Sequence, residues 1–424
     1  MPSRRATSLP LLFVVLPFFV FADAPGLVEP DWGSVAGVAA PPELQAPAAI
    51  LVDATTNTVL YAKNEDLALP PASLTKLVAI EAVLQAVDTG EISLADQFAP
   101  PVAAWAVNQP TGSSLMFLGE GQRVSVADLL LGLAVSSGND AAVALAHHID
   151  GSVASFAERM NRIIATMGLE NLYFTEPAGL SPQNTITARA FVRFILVHIA
   201  NHPDVIEELY AVESYTYPQE ENRISPAAQS PITQHNRNGM LQTYPGADGL
   251  KTGFIDESGY HIAATAERDG RRLVALVLGV SAPDHATGSL LREADATVLL
   301  DYGFTAFDDV TMTFPEPRPV TVYHASVRTI MPNGPARLVV TVPAGRAEDL
   351  RGETFLEEAI TAPVVAGSPV GRLVISLDDQ VLADEPLLSG PVSRGGWVRN
   401  AWDSVRIFFR TLFGGSAPVS GEEL

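Results

Sequence analysis

The sequence contains no cysteine among its 424 residues. That absence excludes a disulfide framework, a thiolate nucleophile and a cysteine-ligated zinc site. Basic residues are scarce as well: 26 Lys and Arg stand against 48 Asp and Glu, a formal net charge of −22. Nucleic acid binding needs clustered cations, so this balance argues against it as a partner and fits a soluble, acidic surface. After the first two dozen residues, no stretch has the roughly 20 apolar residues that a spanning helix requires. Histidines are few. His147-His148 and the i, i+4 pair His198 and His202 lack a His-Glu-x-x-His pattern and show no acidic partner at ligand spacing. They read as solvated helix residues, and no metal or other cofactor is expected.

What is present suffices for two domains with sizeable cores. Arg4 and Arg5 precede an apolar run from Leu9 to Phe21 and the small residues Ala22-Asp23-Ala24. Residues 1–24 therefore read as a secretory signal peptide, which places the protein outside the cytoplasm; an uncleaved anchor is the alternative. Residues 25–45 are rich in Pro, Ala and Gly without a period, and read as a linker.

Residues 46–304 read as one α/β domain. Short strands are predicted at 50–52 and 58–61, and a helix at 73–87, where Leu77, Ile80, Val83 and Leu84 recur at helical spacing. Further helices are expected at 126–135, 141–148, 188–199 and 285–302. Strands are expected at 249–254, 260–266 and 273–279, with Asp269-Gly270 as a hairpin turn. Residues 307–389 change character to a small all-β domain, with strands at 310–314, 320–330, 336–342 and 370–377.

Three short motifs carry chemistry. Ser73-Leu74-Thr75-Lys76 puts a hydroxyl and an amine on one helical face, where a neutral lysine can take the serine's proton. Burial and a second cation, Lys251, would favour that neutral amine. Ser137-Gly138-Asn139 breaks two helices. Its hydroxyl can relay a proton to a leaving amine, and its amide can hold Lys76 or a substrate carbonyl. Lys251-Thr252-Gly253 lies on a predicted strand; Lys251 and Thr252 can bind a carboxylate, and Gly253 admits a close backbone. Each motif alone is common. Together and in this order they match the combination documented for penicillin-binding proteins and class A β-lactamases, with Ser-Gly-Asn in place of Ser-Asp-Asn.

The chain thus resembles the low-molecular-weight penicillin-binding proteins, the serine D-alanyl-D-alanine carboxypeptidases. The resemblance extends to Pro71–Leu77, to Asn236-Arg237-Asn238-Gly239-Met240-Leu241, to Asp248–Gly253, to Ala359–Pro363 and to Trp402-Asp403. It implies a penicillin-binding-protein/β-lactamase-like transpeptidase domain, then the all-β domain and an amphipathic anchor. It implies Ser73 as the acylated nucleophile, Lys76 as its base, and Ser137 and Asn139 in proton transfer and substrate holding. Lys251 and Thr252 would engage the substrate carboxylate, with Arg292 near it, and the backbone N–H groups of Ser73 and Phe254 would form the oxyanion hole. The substrate implied is the peptidoglycan stem pentapeptide, with β-lactams as inhibitors. A D,D-endopeptidase or β-lactamase on the same fold, and an idle peptidoglycan-binding protein, are the alternatives. Ala190 stands where the family usually has Asp, which reads as a lost helix-start interaction. Glu176-Pro177 begins like the β-lactamase glutamate motif but lacks the Leu-Asn that should follow.

Residues 394–414 return to helical period. Trp397, Ala401, Val405, Phe408 and Leu412 share one face, and Arg399, Arg406 and Arg410 the opposite one. An aromatic-rich face opposed by arginines predicts a helix lying in a lipid interface, its arginines on anionic headgroups. A helix docked on its own β-domain is the alternative.

Overall fold

The computed structural model describes residues 24–421. The expected signal peptide, apart from Ala24, lies outside them.

The apolar runs of the first domain build a five-stranded antiparallel sheet. It consists of β1 (Ala48–Asp53), β2 (Thr58–Lys63), β7 (Ala247–Ile255), β8 (Gly259–Arg268) and β9 (Arg271–Val280), in the order β2-β1-β9-β8-β7. Two small hairpin-like pairs, β3 (Gln97–Phe98) with β4 (Val124–Ser125) and β5 (Ser214–Tyr217) with β6 (Ile232–His235), lie outside it. β1 is buried along its whole length, because both sheet faces are covered. Its Ile50 and Val52 point into a core shared with helices α1 (Thr75–Asp88), α2 (Val126–Ala134), α3 (Asn139–Asp150), α4 (Val153–Thr166) and α5 (Ala188–Asn201). Its Ala49 and Leu51 point the other way, into a core with α6 (Met240–Thr243) and α7 (His285–Ala306). The two-residue alternation of a strand thus explains why an uninterrupted apolar run is needed there. Each large side chain so buried contributes about 1.5–3 kcal/mol.

The second domain is all-β. It holds the strand pair β10 (Phe307–Thr313) and β13 (Arg337–Pro343), and the three-stranded sheet of β14 (Arg351–Leu356), β16 (Pro369–Leu377) and β17 (Gln380–Leu388). A four-stranded sheet joins β11 (Val320–Tyr323), β12 (Thr329–Ile330), β15 (Ala359–Thr361) and β18 (Val419–Ser420). The single strand expected at 320–330 is therefore a hairpin. It folds back after β11, where His324 takes a left-handed φ of +55°.

One expectation needs correction, and one helix was not foreseen. Residues 25–45 are not a free linker. Val28 bridges to Thr58, Trp32 packs on Phe307 with the rings tilted and their centroids 5.0 Å apart, and Val35 is buried in the β-domain core. The segment lacks a period because it is an irregular strap across both domains, held by separate anchors. The helix α4 was not anticipated, although Phe156, Met160, Ile163 and Ile164 recur at helical spacing behind the N-cap Ser152. Ala190, by contrast, leaves α5 capped: the Thr187 hydroxyl accepts from its N–H at 3.2 Å.

A polar clasp also joins the domains. Arg271 donates to Asp53 at 2.6 Å and lies 3.3 Å from Asp309. Thr341 donates to Asp309 at 3.0 Å and meets Thr56 at 2.6 Å.

The tail forms α8 (Trp397–Leu412), docked through its polar face. Asp403 is buried and accepts from the His324 N–H at 2.9 Å. Arg399 donates to the carbonyls of Ser326 and Val327, Arg410 pairs with Glu358, and Arg406 lies over the Tyr323 ring. Each of these arginines thus has a partner on the β-domain, with Arg406 still half exposed. The aromatic face points outward: Trp397 is 82% exposed, Trp402 66% and Phe413 81%. No helix among the described residues is long and apolar enough to cross a membrane.

Candidate active site

Ser73 sits in a tight 3-10 turn, Ala72–Leu74, immediately before α1 and not within it. Ala72 takes a φ of +50°. That conformation is strained for an L-residue, by about 1–3 kcal/mol, so its surroundings must impose it. Two glycines show how closely they press. A Cβ on Gly179 would lie 1.9 Å from the Ala72 carbonyl oxygen. One on Gly253 would lie 3.0 Å from the Pro71 oxygen and 3.1 Å from Ser73 N. The third motif is thereby packed directly against the first.

Lys76, one helical turn after Ser73, is fully buried. Its Nζ lies 3.0 Å from Ser73 Oγ, 2.8 Å from Asn139 Oδ1 and 2.5 Å from the Ala178 carbonyl oxygen. Burial lowers its pKa from 10.5 to about 7; the nearby carboxylates of Glu176 and Asp140 oppose the drop, and Arg237 reinforces it. The helping cation is thus Arg237, where Lys251 had been expected. Lys251 is itself buried, and desolvation, followed by Lys76, Arg237 and Arg292, holds its pKa well below the usual value.

The neutral form of this amine has a limited bonding capacity. It has two N–H donors and one lone pair. The Asn139 and Ala178 carbonyl oxygens can only accept, so they take the two donors. The lone pair is left facing the Ser73 hydroxyl.

Ser137 and Asn139 lie where α2 gives way to α3, and both are buried. Ser137 holds a left-handed φ of +57°. The next residue, Asp140, carries a role that the motif did not announce. Its carboxylate accepts from the N–H groups of Met116 at 2.8 Å and Leu118 at 3.0 Å. The Asn139 N–H donates to the Ser114 oxygen at 2.8 Å. An irregular segment, 114–118, is thereby tied to the start of α3. Asp140 in the first turn of a helix was the available sequence signal.

Glu176 was also underread. Its carboxylate accepts from the N–H groups of Ala178, Gly179, Leu180 and Ser181, and from Asn184 Nδ2. Asn184 in turn reaches Thr75 at 3.2 Å. The loop so wound presents the Ala178 carbonyl to Lys76 and Gly179 to Ala72. Its carboxylate is committed to that scaffold.

Lys251 and Thr252 are buried on β7. Lys251 Nζ donates to the Thr252 oxygen at 3.2 Å. Phe254 packs on Tyr260 at 4.3 Å and edge-on to His285 at 4.6 Å. Arg292, on α7, points its Nη1 at the Gly253 oxygen and its Nη2 at the Arg237 oxygen, both at 3.4 Å, while its Nε is buried without a partner.

The family profile described as D-alanyl-D-alanine carboxypeptidase matches residues 35–282, which hold all three motifs. The chain belongs to that family. A second profile, penicillin-binding protein 5, C-terminal domain, matches residues 319–391. The chain is 34% identical to the D-alanyl-D-alanine carboxypeptidase DacC of Escherichia coli, over 88% of this chain and 90% of that one. It is 32% identical to DacA of Haemophilus influenzae, over 88% and 92%. The crystal structure of penicillin binding protein 5 from Haemophilus influenzae superposes with a TM-score of 0.75 at 31% identity, covering 84% of this chain and 100% of that one. Penicillin-binding protein D2 from Listeria monocytogenes, in its cefotaxime bound form, matches with a TM-score of 0.54 at 29% identity, over 63% and 100%. Family membership makes the protein a serine hydrolase with the expected fold: a mixed α/β catalytic domain followed by an all-β domain.

Proposed function

We propose that the protein removes the terminal D-alanine from peptidoglycan stem pentapeptides through an acyl-enzyme on Ser73. The observation that carries this reading is the placement of Lys76 Nζ, 3.0 Å from the Ser73 hydroxyl and otherwise facing the Asn139 and Ala178 carbonyl oxygens. Lys76 takes the hydroxyl proton as Ser73 Oγ attacks the penultimate D-Ala carbonyl. The backbone N–H groups of Ser73 and Phe254 hold the oxyanion, and Gly253 leaves room for it. Ser137 passes the proton to the leaving D-alanine amine, and water then hydrolyses the ester. Asn139 fixes Lys76 and the substrate amide. The substrate's terminal carboxylate lies by Lys251 and Thr252, with Arg292 behind. Burial and the neighbouring cations disfavour the charge on Lys251, and an arriving carboxylate favours it.

The domains divide at 46–304 and 307–389. β-Lactams acylate Ser73 and leave slowly. The protein works outside the cytoplasmic membrane, with its leader removed within 22–24. It is held at the membrane surface by residues 394–414, whose outward aromatic face supports interfacial docking. The arginines support it only by fixing the helix to the β-domain.

Two measurements test these points. Incubation with a D-Ala-D-Ala pentapeptide should release one D-alanine, and penicillin should add its mass to the peptide carrying Ser73. Turnover confined to cross-linked peptide, or rapid hydrolysis of penicillin, would replace the carboxypeptidase with an endopeptidase or a β-lactamase. A chain ending at Ser393 should leave the membrane fraction yet keep its D-alanine release. Persistence of that shortened chain with membranes rules out the tail as the anchor.

A further inference from the structure

A second group of titratable side chains lies behind the catalytic helix and takes no part in the reaction. Glu81 is on α1, five residues after Lys76, and is fully buried. His198 and His202 come from the end of α5; His198 is buried and the His202 side chain is 10% exposed. The solvated reading of these histidines is therefore corrected, and the acidic partner missing from the local sequence comes from 117 residues away. Glu81 Oε2 lies 2.6 Å from His198 Nδ1 and 3.2 Å from His202 Nε2. The three ligand-type atoms all fall within 4.8 Å of one another.

The outer atoms of this trio face partners as well. Glu81 Oε1 accepts from Gln85 at 2.7 Å. His198 Nε2 meets the Tyr210 hydroxyl at 2.7 Å. His202 Nδ1 faces Asp88 at 3.6 Å. Outer partners of this kind orient imidazole and carboxylate ligands in metal centres. A second observation points the same way. His202 Nε2 is buried and makes no hydrogen bond, although it aims at Glu81. Beside His202 opens a cleft of about 400 Å³, with Asp88, Asp204 and Glu208 in its lining. Those carboxylates would draw a cation inward.

We propose that Glu81, His198 and His202 form a site for a divalent transition-metal ion of the zinc class, with water from the cleft as a further ligand. Two imidazoles and one carboxylate suit zinc, whereas calcium and magnesium take oxygen ligands. The Glu81–His202 separation already fits two atoms sharing such an ion. The Glu81–His198 contact is a hydrogen bond and would open by a few tenths of an ångström. The ion would add positive charge beside the buried Glu81 carboxylate. It would also pin the back of the catalytic helix to α5.

The test uses the folded protein without a histidine tag, stripped with a chelator and titrated with Co²⁺. One equivalent should bind, with the visible absorption of a low-coordinate Co²⁺ site, and Zn²⁺ should displace it. His202→Asn, at a C-cap that tolerates Asn, should weaken Co²⁺ binding by about 100-fold or more. Penicillin acylation of the variant shows that it is folded. Absence of Co²⁺ binding by the wild-type protein would mean that the cluster holds only a proton, and would overturn the proposal. So would binding that His202→Asn leaves unchanged.

Discussion

Ser73→Ala and Lys76→Ala should each cut D-alanine release by about 10⁴-fold or more, since each removes a partner in the same proton transfer. Ser73→Ala also removes the penicillin adduct altogether. Lys76→Arg makes the sharper test. It keeps a cation at the site but cannot act as a base, because guanidinium does not deprotonate in proteins. If positive charge alone were needed, the arginine variant would keep activity; the lone-pair geometry requires that it be as inactive as alanine. The same geometry sets the pH dependence. The working form is the neutral amine, and the pKa of Lys76 is lowered to about 7, mainly by burial. Acylation should therefore rise through neutral pH, level off above it, and fall about tenfold per unit below. Acylation that is flat from mildly acidic to alkaline pH would remove Lys76 from the role of base.

Gly179→Ala is expected to damage the site without touching a reacting atom. The residue holds a φ of +81°, and its Cβ would lie 1.9 Å from the Ala72 carbonyl oxygen. That neighbour is backbone and cannot swing aside, so the 72–74 turn or the 176–181 loop must move. Either movement displaces Ser73 or the Ala178 carbonyl that orients Lys76. A shift of about 1 Å in a reacting group can cost 100-fold in rate, and penicillin acylation should slow by that order. The melting temperature should fall as well, since alanine is strained at this φ. Wild-type acylation kinetics in this variant would show that the loop does not position the nucleophile.

The side chains of the candidate site were legible because the proposed chemistry demands particular residue types at fixed spacings. Ser73 and Lys76 need one helical turn, and Lys251 with Gly253 needs a strand that can approach a backbone. The sheet was legible in apolar runs such as Ala48–Val52, buried on both faces. What escaped notice acts through the backbone or across long separations. The Ala178 carbonyl has no side-chain signature, and Glu176 was weighed as a reactant when its carboxylate winds a loop. Glu81 meets His198 only because α1 and α5 pack together, which no local spacing records. The strap 25–45 was misread because Trp32 and Val35 are single anchors in an irregular segment. Helix α4 is different: its period was present and went unused.

The clasp of Arg271 with Asp53 and Asp309, and the strap beside it, have a mechanical consequence. They join the rim of the catalytic sheet to the first strand of the β-domain, and α8 is fixed to the far sheet of that domain. With both joints bonded, the two domains and the tail helix are tied to one another at more than one point. If the tail docks at a surface as proposed, Ser73 is carried at a set distance from it and would meet the peptides within that reach.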